Sequence, residues 1–255
     1  MNNQVFQKIA DRLNLPSDAI GSDGIKFRGN GPTISETGYW SNESGDELIR
    51  WHLSRVRILE LTKDLNDTEV WDIRTETGLK NHVSIPTIGC RWYHNLMRWE
   101  YLLNEFANGR TLPEFTKLDE NTLINSFNSV SSARINCKKT AGCGSCPDNV
   151  LKEHIARYGD VILEQIQTFP KKPNIILIGG CSGNIILKKI VKELYSNLQI
   201  FANGWIHYSE KERIIVINGY NPNPRYRKDK DVYGELRNNL LQFRFRKGTD
   251  FLNFE

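Results

Sequence analysis

Apolar side chains recur at three- and four-residue steps at Val5, Phe6, Ile9, Ala10 and Leu13, which predicts a helix over Gln4 to Leu13, ended by Pro16. The periodicity is lost from Ser22 to Gly45 among Gly, Ser, Asn and Pro. That stretch reads as a long surface loop, with Tyr39 and Trp40 as packing anchors and a short helix after it from Asp46 through Leu53. Arg55 to Thr62 reads as a strand that runs into the polar cluster Lys63-Asp64-Leu65-Asn66-Asp67. Trp71 to Cys90 is irregular. Trp92, Leu96, Trp99, Leu103 and Phe106 then mark one face of a strong helix over Arg91 to Phe106, an aromatic stripe suited to a core. Ser131 to Asn136 reads as a second strand, opening into Cys137-Lys138-Lys139-Thr140-Ala141-Gly142-Cys143-Gly144. A long amphipathic helix follows from Pro147 to Phe169, with Pro147 and Asp148 at its start and Pro170 and Pro173 beyond its end. Asn174 to Gly179 is a third strand, and Gly180-Cys181-Ser182-Gly183-Asn184 turns it into a helix reaching Leu198. Trp205 to Tyr208 suits a short edge strand. Ile214 to Ile217 is an unbroken β-branched run, as in a strand buried on both faces, and Val232 to Gln242 closes the chain as a basic helix.

Four buried-type strands separated by helices imply an α/β fold: a three-layer αβα sandwich around a central, mainly parallel four-stranded sheet. The expected organisation is a single domain over residues 1–255, with a loop-rich N-terminal extension at about 1–54. Hydrophobic residues make up 39% and charged residues 25%, and no apolar run reaches membrane-spanning length. With no signal-peptide core in Met1–Ala10 and an odd five cysteines, the expectation is a soluble monomer in a reducing cytoplasm. A net charge of +4 proves no polyanionic partner, but Arg225 to Lys247 carries eight Lys/Arg against three acids. That density fits a phosphate-facing surface; a solvated helix face is the plainer alternative.

The candidate chemistry gathers where strands end. Asn221-Pro222-Asn223-Pro224 follows the Ile214 strand, and its two prolines fix φ and hold the preceding residues extended. Two asparagine amides are thereby presented stiffly past the carboxyl end of a central strand, where open α/β sheets bind ligands. Arg225, Tyr226, Arg227 and Lys228 make the continuation basic. An acidic residue at the end of the first strand, Asp64, is aimed at the same crevice. The Gly179–Asn184 turn exposes backbone N–H groups at a helix start, a weaker phosphate signal without a Gly-x-Gly-x-x-Gly or phosphate-loop lysine pattern.

Ile135-Asn136-Cys137-Lys138-Lys139-Thr140, a Gly-rich turn, a helix closing on Leu163-Glu164-Gln165-Ile166, and Pro173-Asn174-Ile175-Ile176-Leu177-Ile178-Gly179 occur in an order that resembles the uracil-DNA glycosylase superfamily. Asn221-Pro222-Asn223-Pro224 is similar to that superfamily's His-Pro-Ser-Pro motif with Asn in place of His. Thr62-Lys63-Asp64-Leu65 looks like a degenerate Gly-x-Asp/Asn-Pro motif, lacking its glycine and proline. The resemblance covers about Val56 to Leu240. It implies a DNA glycosylase that flips a pyrimidine out of the duplex and cleaves its N-glycosidic bond without cofactor or metal. Asp64 and Asn221 are then the catalytic residues. Asn136, Lys63 and Asn66 recognise the base. Lys138, Lys139, Ser182, Asn223, Arg225, Tyr226, Arg227 and Lys228 bind DNA. The degenerate first motif and the long irregular segments look most like the anti-phage branch, the bacteriophage replication inhibition DNA glycosylases, which attack bulky modified cytosines. The implied substrate is a 5-substituted or glucosylated hydroxymethyl cytosine in phage DNA. Alternatives are a uracil-DNA glycosylase of base-excision repair and a catalytically inactive nucleic-acid-binding member of the fold.

Some members of that superfamily hold an iron–sulfur cluster on four cysteines. Cys143-Gly144-Ser145-Cys146 supplies one CxxC with Cys137 six residues before it, while Cys90 and Cys181 are distant. Half a ligand signature favours free thiols in a Gly-rich turn over a metal.

Overall fold

A computed structural model of the chain describes residues 3–26, 47–65, 67–76, 83–142, 146–179, 183–219, 222 and 226–248. Four strands, β2 (Arg57–Thr62), β3 (Ser131–Asn136), β4 (Ile175–Gly179) and β7 (Ile214–Gly219), pair in parallel in the spatial order β3-β2-β4-β7. They coincide with the four apolar runs of the sequence. The sheet is wider than four strands, however, and mixed. β1 (Gly24–Ile25) adds antiparallel to β3, and β6 (Ile206–Ser209) and β5 (Gln199–Phe201) add antiparallel beyond β7, giving seven strands in one sheet. The expectation of a four-stranded sheet is corrected accordingly. β1 lies inside the stretch read as loop, and two residues carry no detectable alternation. β5 lies just past the expected end of a helix and its side chains are largely exposed, so no apolar pattern marks it.

Helices cover both faces. α4 (Arg91–Ala107), α5 (Glu120–Ser129) and α9 (Asp229–Lys247) pack on the face that carries Ile58, Ile175, Leu177, Ile215 and Ile217. α1 (Asn3–Leu13), Trp51 of α2 (Glu47–Leu53) and α6 (Asp148–Gln167) cover the opposite face, on Leu59, Leu61, Ile176, Ile178 and Val216. The same layer holds α7 (Gly183–Ile186), a π-turn over Leu187–Val191 and α8 (Lys192–Leu194). α3 (Ile73–Glu76) is a single turn beside β1. Alternate residues of each central strand thus enter two separate cores, which is why those strands read as unbroken apolar runs. α5 escaped the hydrophobic reading because ENTLINSFNS is mostly polar. Its start is nonetheless encoded: the Asp119 carboxylate caps the Thr122 N–H at 2.8 Å, and Leu123, Ile124 and Phe127 supply the buried stripe.

The connection from β2 to β3 runs through α4 and α5 on one face, while that from β4 to β7 starts through α7 on the other. The chain therefore departs in opposite directions from the neighbouring strands β2 and β4. A crevice opens above their carboxyl ends, the position at which α/β sheets bind ligands.

Candidate functional site at the carboxyl ends of the parallel strands

The strand register builds the floor of this crevice. Thr62 is the partner of Asn136, and Gly179 is the partner of Gly219, so β3, β2, β4 and β7 end in a row of Asn, Thr, Gly and Gly. Both polar members are buried, Asn136 to 2% exposure, and the Thr62 hydroxyl donates to Asn136 Oδ1. Pro222 lies over the glycine end: its Cδ is 3.6 Å from where a Cβ on Gly179 would stand, and Thr62 Cγ2 is 3.7 Å from the same point. One step below the row on the same strands, Glu60 pairs with Arg134. Arg134 Nε reaches Glu60 Oε2 at 2.8 Å, and Lys26 Nζ reaches Glu60 Oε1 at 2.5 Å and Glu100 Oε1 at 2.7 Å, all in the interior. Burial pushes the Glu60 carboxyl up, but the Lys26 and Arg134 charges outweigh it and hold it down at about 2.

The loop that carries Pro222 is fastened from below. Asn95, buried on α4, donates from Nδ2 to the Pro222 carbonyl at 2.7 Å and to Asp229 Oδ1 at 2.9 Å. Arg91 donates from Nε to Asp229 Oδ1 at 2.7 Å and from Nη2 to the Arg227 carbonyl at 2.8 Å. Arg98 Nη1 holds Asn95 Oδ1 at 2.9 Å. Arg91, Asn95 and Arg98 fall at i, i+4 and i+7, so α4 offers a polar stripe beside its aromatic one. Sequence reasoning weighed only the aromatic stripe and missed this clamp; the spacing was the signal that could have found it.

Asp64 stands two residues past Thr62, half-buried, with Oδ2 3.8 Å from the Cβ position of Gly142; Lys138 Nζ is 2.7 Å from that position. Burial raises the Cys146 thiol, the Asp64 charge adds to the rise, and Lys138 and Lys63 oppose it, so these groups share one electrostatic neighbourhood. Lys63 is turned toward the start of α6, where its Nζ donates to the Cys146 carbonyl at 3.2 Å and lies 3.6 Å from Asp148 Oδ1.

Two expected DNA contacts are corrected. Lys139 is fully buried, with its Nζ 2.6 Å from both oxygens of Asp23 and 3.0 Å from Gln165 Oε1. It cannot reach a phosphate. Lys138 is buried too, and donates to the carbonyls of Thr140 at 2.8 Å and Ala141 at 2.9 Å, bracing its own turn. Asp23 Oδ2 also accepts the Asn136 N–H at 2.8 Å, so the network that buries Lys139 supports the backbone of the floor. The Tyr158 hydroxyl accepts the Lys139 N–H at 3.0 Å, from a point where α6 leaves helical geometry (φ −145°, ψ 20°). Cys137 is a buried thiol pushed up to about 12 by desolvation, unsuited to ligation or nucleophilic attack. Among the described residues no three His, Cys, Asp or Glu side chains gather as a metal site.

The basic stretch is mostly consumed by packing. Arg227 pairs with Glu235 at 2.7 Å, and Arg237 donates to the Leu112 carbonyl at 2.9 Å. Arg244 donates to the carbonyls of Arg110 and Phe106 at 2.8 and 3.0 Å, and Lys247 approaches Glu210 at 3.3 Å. Tyr226, at 96% exposure, and the exposed Lys228, Lys230 and Arg246 remain turned to solvent. Asn66, Ser182, Asn221, Asn223 and Arg225 lie outside the described residues, as do Cys143 and Cys181. No protein-family model, no curated protein and no solved structure matches this chain.

Proposed function

We propose that the protein is a DNA glycosylase that hydrolyses the N-glycosidic bond of a flipped pyrimidine and leaves an abasic site. The observation that carries this reading is the row Asn136–Thr62–Gly179–Gly219 at the carboxyl ends of four parallel strands, with Pro222 above it and Asp64 just beyond β2. As the base departs, positive charge develops on the sugar and negative charge on the base. The Asp64 carboxylate stabilises the sugar cation and orients water. Asn221 and backbone N–H groups of its loop donate to the base O2, each such donor supplying ~3–4 kcal/mol. Asn136 reads the Watson–Crick edge of the extruded base. Tyr226 and Lys228, exposed on the continuation of the loop, meet the DNA beside the vacated stack. The substrate is a 5-substituted cytosine of viral DNA, with uracil as the competing base. A pure binding role has less support, because most of the basic stretch and both lysines after Asn136 are engaged within the protein.

The test is incubation with oligonucleotides carrying uracil, cytosine, hydroxymethylcytosine or glucosylated hydroxymethylcytosine, followed by alkaline cleavage at abasic sites. Asp64→Asn is expected to keep DNA binding and to lose base release by 100-fold or more, in line with about 3 kcal/mol of charge stabilisation. Wild-type rates in Asp64→Asn, or no release from any substrate by the wild-type protein, would refute the assignment.

A further inference from the structure

The two ends of the Asn136 amide are chemically opposite, and rotation about the last side-chain bond exchanges them at little cost unless a neighbour intervenes. Thr62 is that neighbour. It is the register partner of Asn136, both are buried, and the Thr62 hydroxyl donates to Asn136 Oδ1. Thr62 is itself held. It is β-branched, so few χ1 wells are open to it, and its methyl is turned to the Gly179 side, within 3.7 Å of the Cβ position there. The Pro222 ring fills the same side from above, 3.6 Å from that point. Carbon thus occupies one flank of Thr62 and the hydroxyl faces the other. Among the described residues Asn136 Nδ2 has no hydrogen-bond partner.

We propose that Thr62 is a specificity-determining positioning residue, one that fixes which hydrogen-bonding edge a flipped pyrimidine must present to Asn136. This rests on the glycosylase reading above. A uracil-type edge offers a 4-carbonyl acceptor beside an N3–H donor, and a cytosine-type edge offers a 4-amino donor beside an N3 acceptor. The two patterns are inverse, so an amide free to turn serves both, while an amide held in one orientation serves one and leaves buried polar groups unpaired against the other. Thr62 stands where the glycosylase motif it resembles has glycine, so the device belongs to this chain's own departure from that motif.

The experiment compares single-turnover release of uracil and of 5-hydroxymethylcytosine by the wild-type protein, Thr62→Val, Thr62→Ala and Thr62→Ser. Thr62→Val and Thr62→Ala, which lack the hydroxyl, are expected to narrow the wild-type ratio of the two rates tenfold or more. Thr62→Ser, which keeps it, should hold that ratio within threefold. Thr62→Ala carries the test if the valine variant does not fold. Release by the wild type with an unchanged ratio in Thr62→Ala overturns the lock alone. Failure of the wild type to release either base overturns the glycosylase reading, and with it the role in selectivity.

Discussion

Glu60 shows how one residue joins the sheet's interior to the floor of the crevice. It lies between Ile58 and Thr62 on a single face of β2 and collects Lys26 and Arg134. Removing one partner of a buried ion pair strands the others without compensation, which typically costs about 3–5 kcal/mol. Glu60→Gln should therefore destabilise the fold by that order in chemical denaturation. The pH dependence has a definite sign. The folded carboxyl is held at about 2 against an ordinary 4.5, so its stabilisation is complete above pH 4.5 and is lost as pH falls toward 2. The shift corresponds to about 3 kcal/mol. The acid limb of the wild-type stability profile should be steeper than that of Glu60→Gln over this window; parallel limbs would contradict the assignment. Nothing in the sequence marked this cluster. A charge inside an apolar run reads as a solvent-facing position, and its partners Lys26, Glu100 and Arg134 come from three separate elements. Lys139 misled for the same reason in reverse. A lysine after a strand reads as exposed, and its partner Asp23 lies 116 positions away.

The central strands were legible because each is buried on both faces, which demands an apolar side chain at nearly every position. The helices α1, α4 and α6 were legible because each buries one stripe. Short or edge elements escape such patterns, since β1 and β5 pair by backbone alone. The clamp of α4 belongs to this scale. Its polar stripe binds the Pro222 loop to the start of α9 through Asp229, whose carboxyl is raised by burial but lowered on balance by Arg91, Asn95 and Arg98. The clamp is thus intact above the ordinary aspartate range and is released as pH falls below it. Asn95→Leu removes the donor to both Pro222 and Asp229 and should cost about 1–3 kcal/mol by leaving buried partners unsatisfied. Amide hydrogen exchange at residues 226–228 should quicken in that variant while exchange in β2 and β4 stays slow. Equal protection throughout would show that the loop holds its place without Asn95.

Across the whole molecule, the charge reading changes most. The sequence counts eight basic residues between Arg225 and Lys247, but several of those cations close the fold over α4 and β6, and Lys228, Lys230 and Arg246 are the exposed ones described. A paired double variant, Lys228→Ala with Lys230→Ala, is expected to reduce the salt slope of duplex binding by about two counterions. The same change at Arg237 and Arg244 should leave the slope alone and lower stability instead. An unchanged slope in the double lysine variant would move the DNA-facing surface elsewhere. The span of these contacts also bears on how the chain is made. Asp23 sits near the start of the polypeptide, yet its amide partner Gln165 lies 142 residues downstream. During synthesis that carboxylate leaves the ribosome long before anything exists to pair with it, and Lys139 has no dry place to go until α6 arrives. The N-terminal segment must therefore wait, solvated and unpaired, through more than half of translation, and the floor beneath Asn136 is among the last parts of the molecule to set.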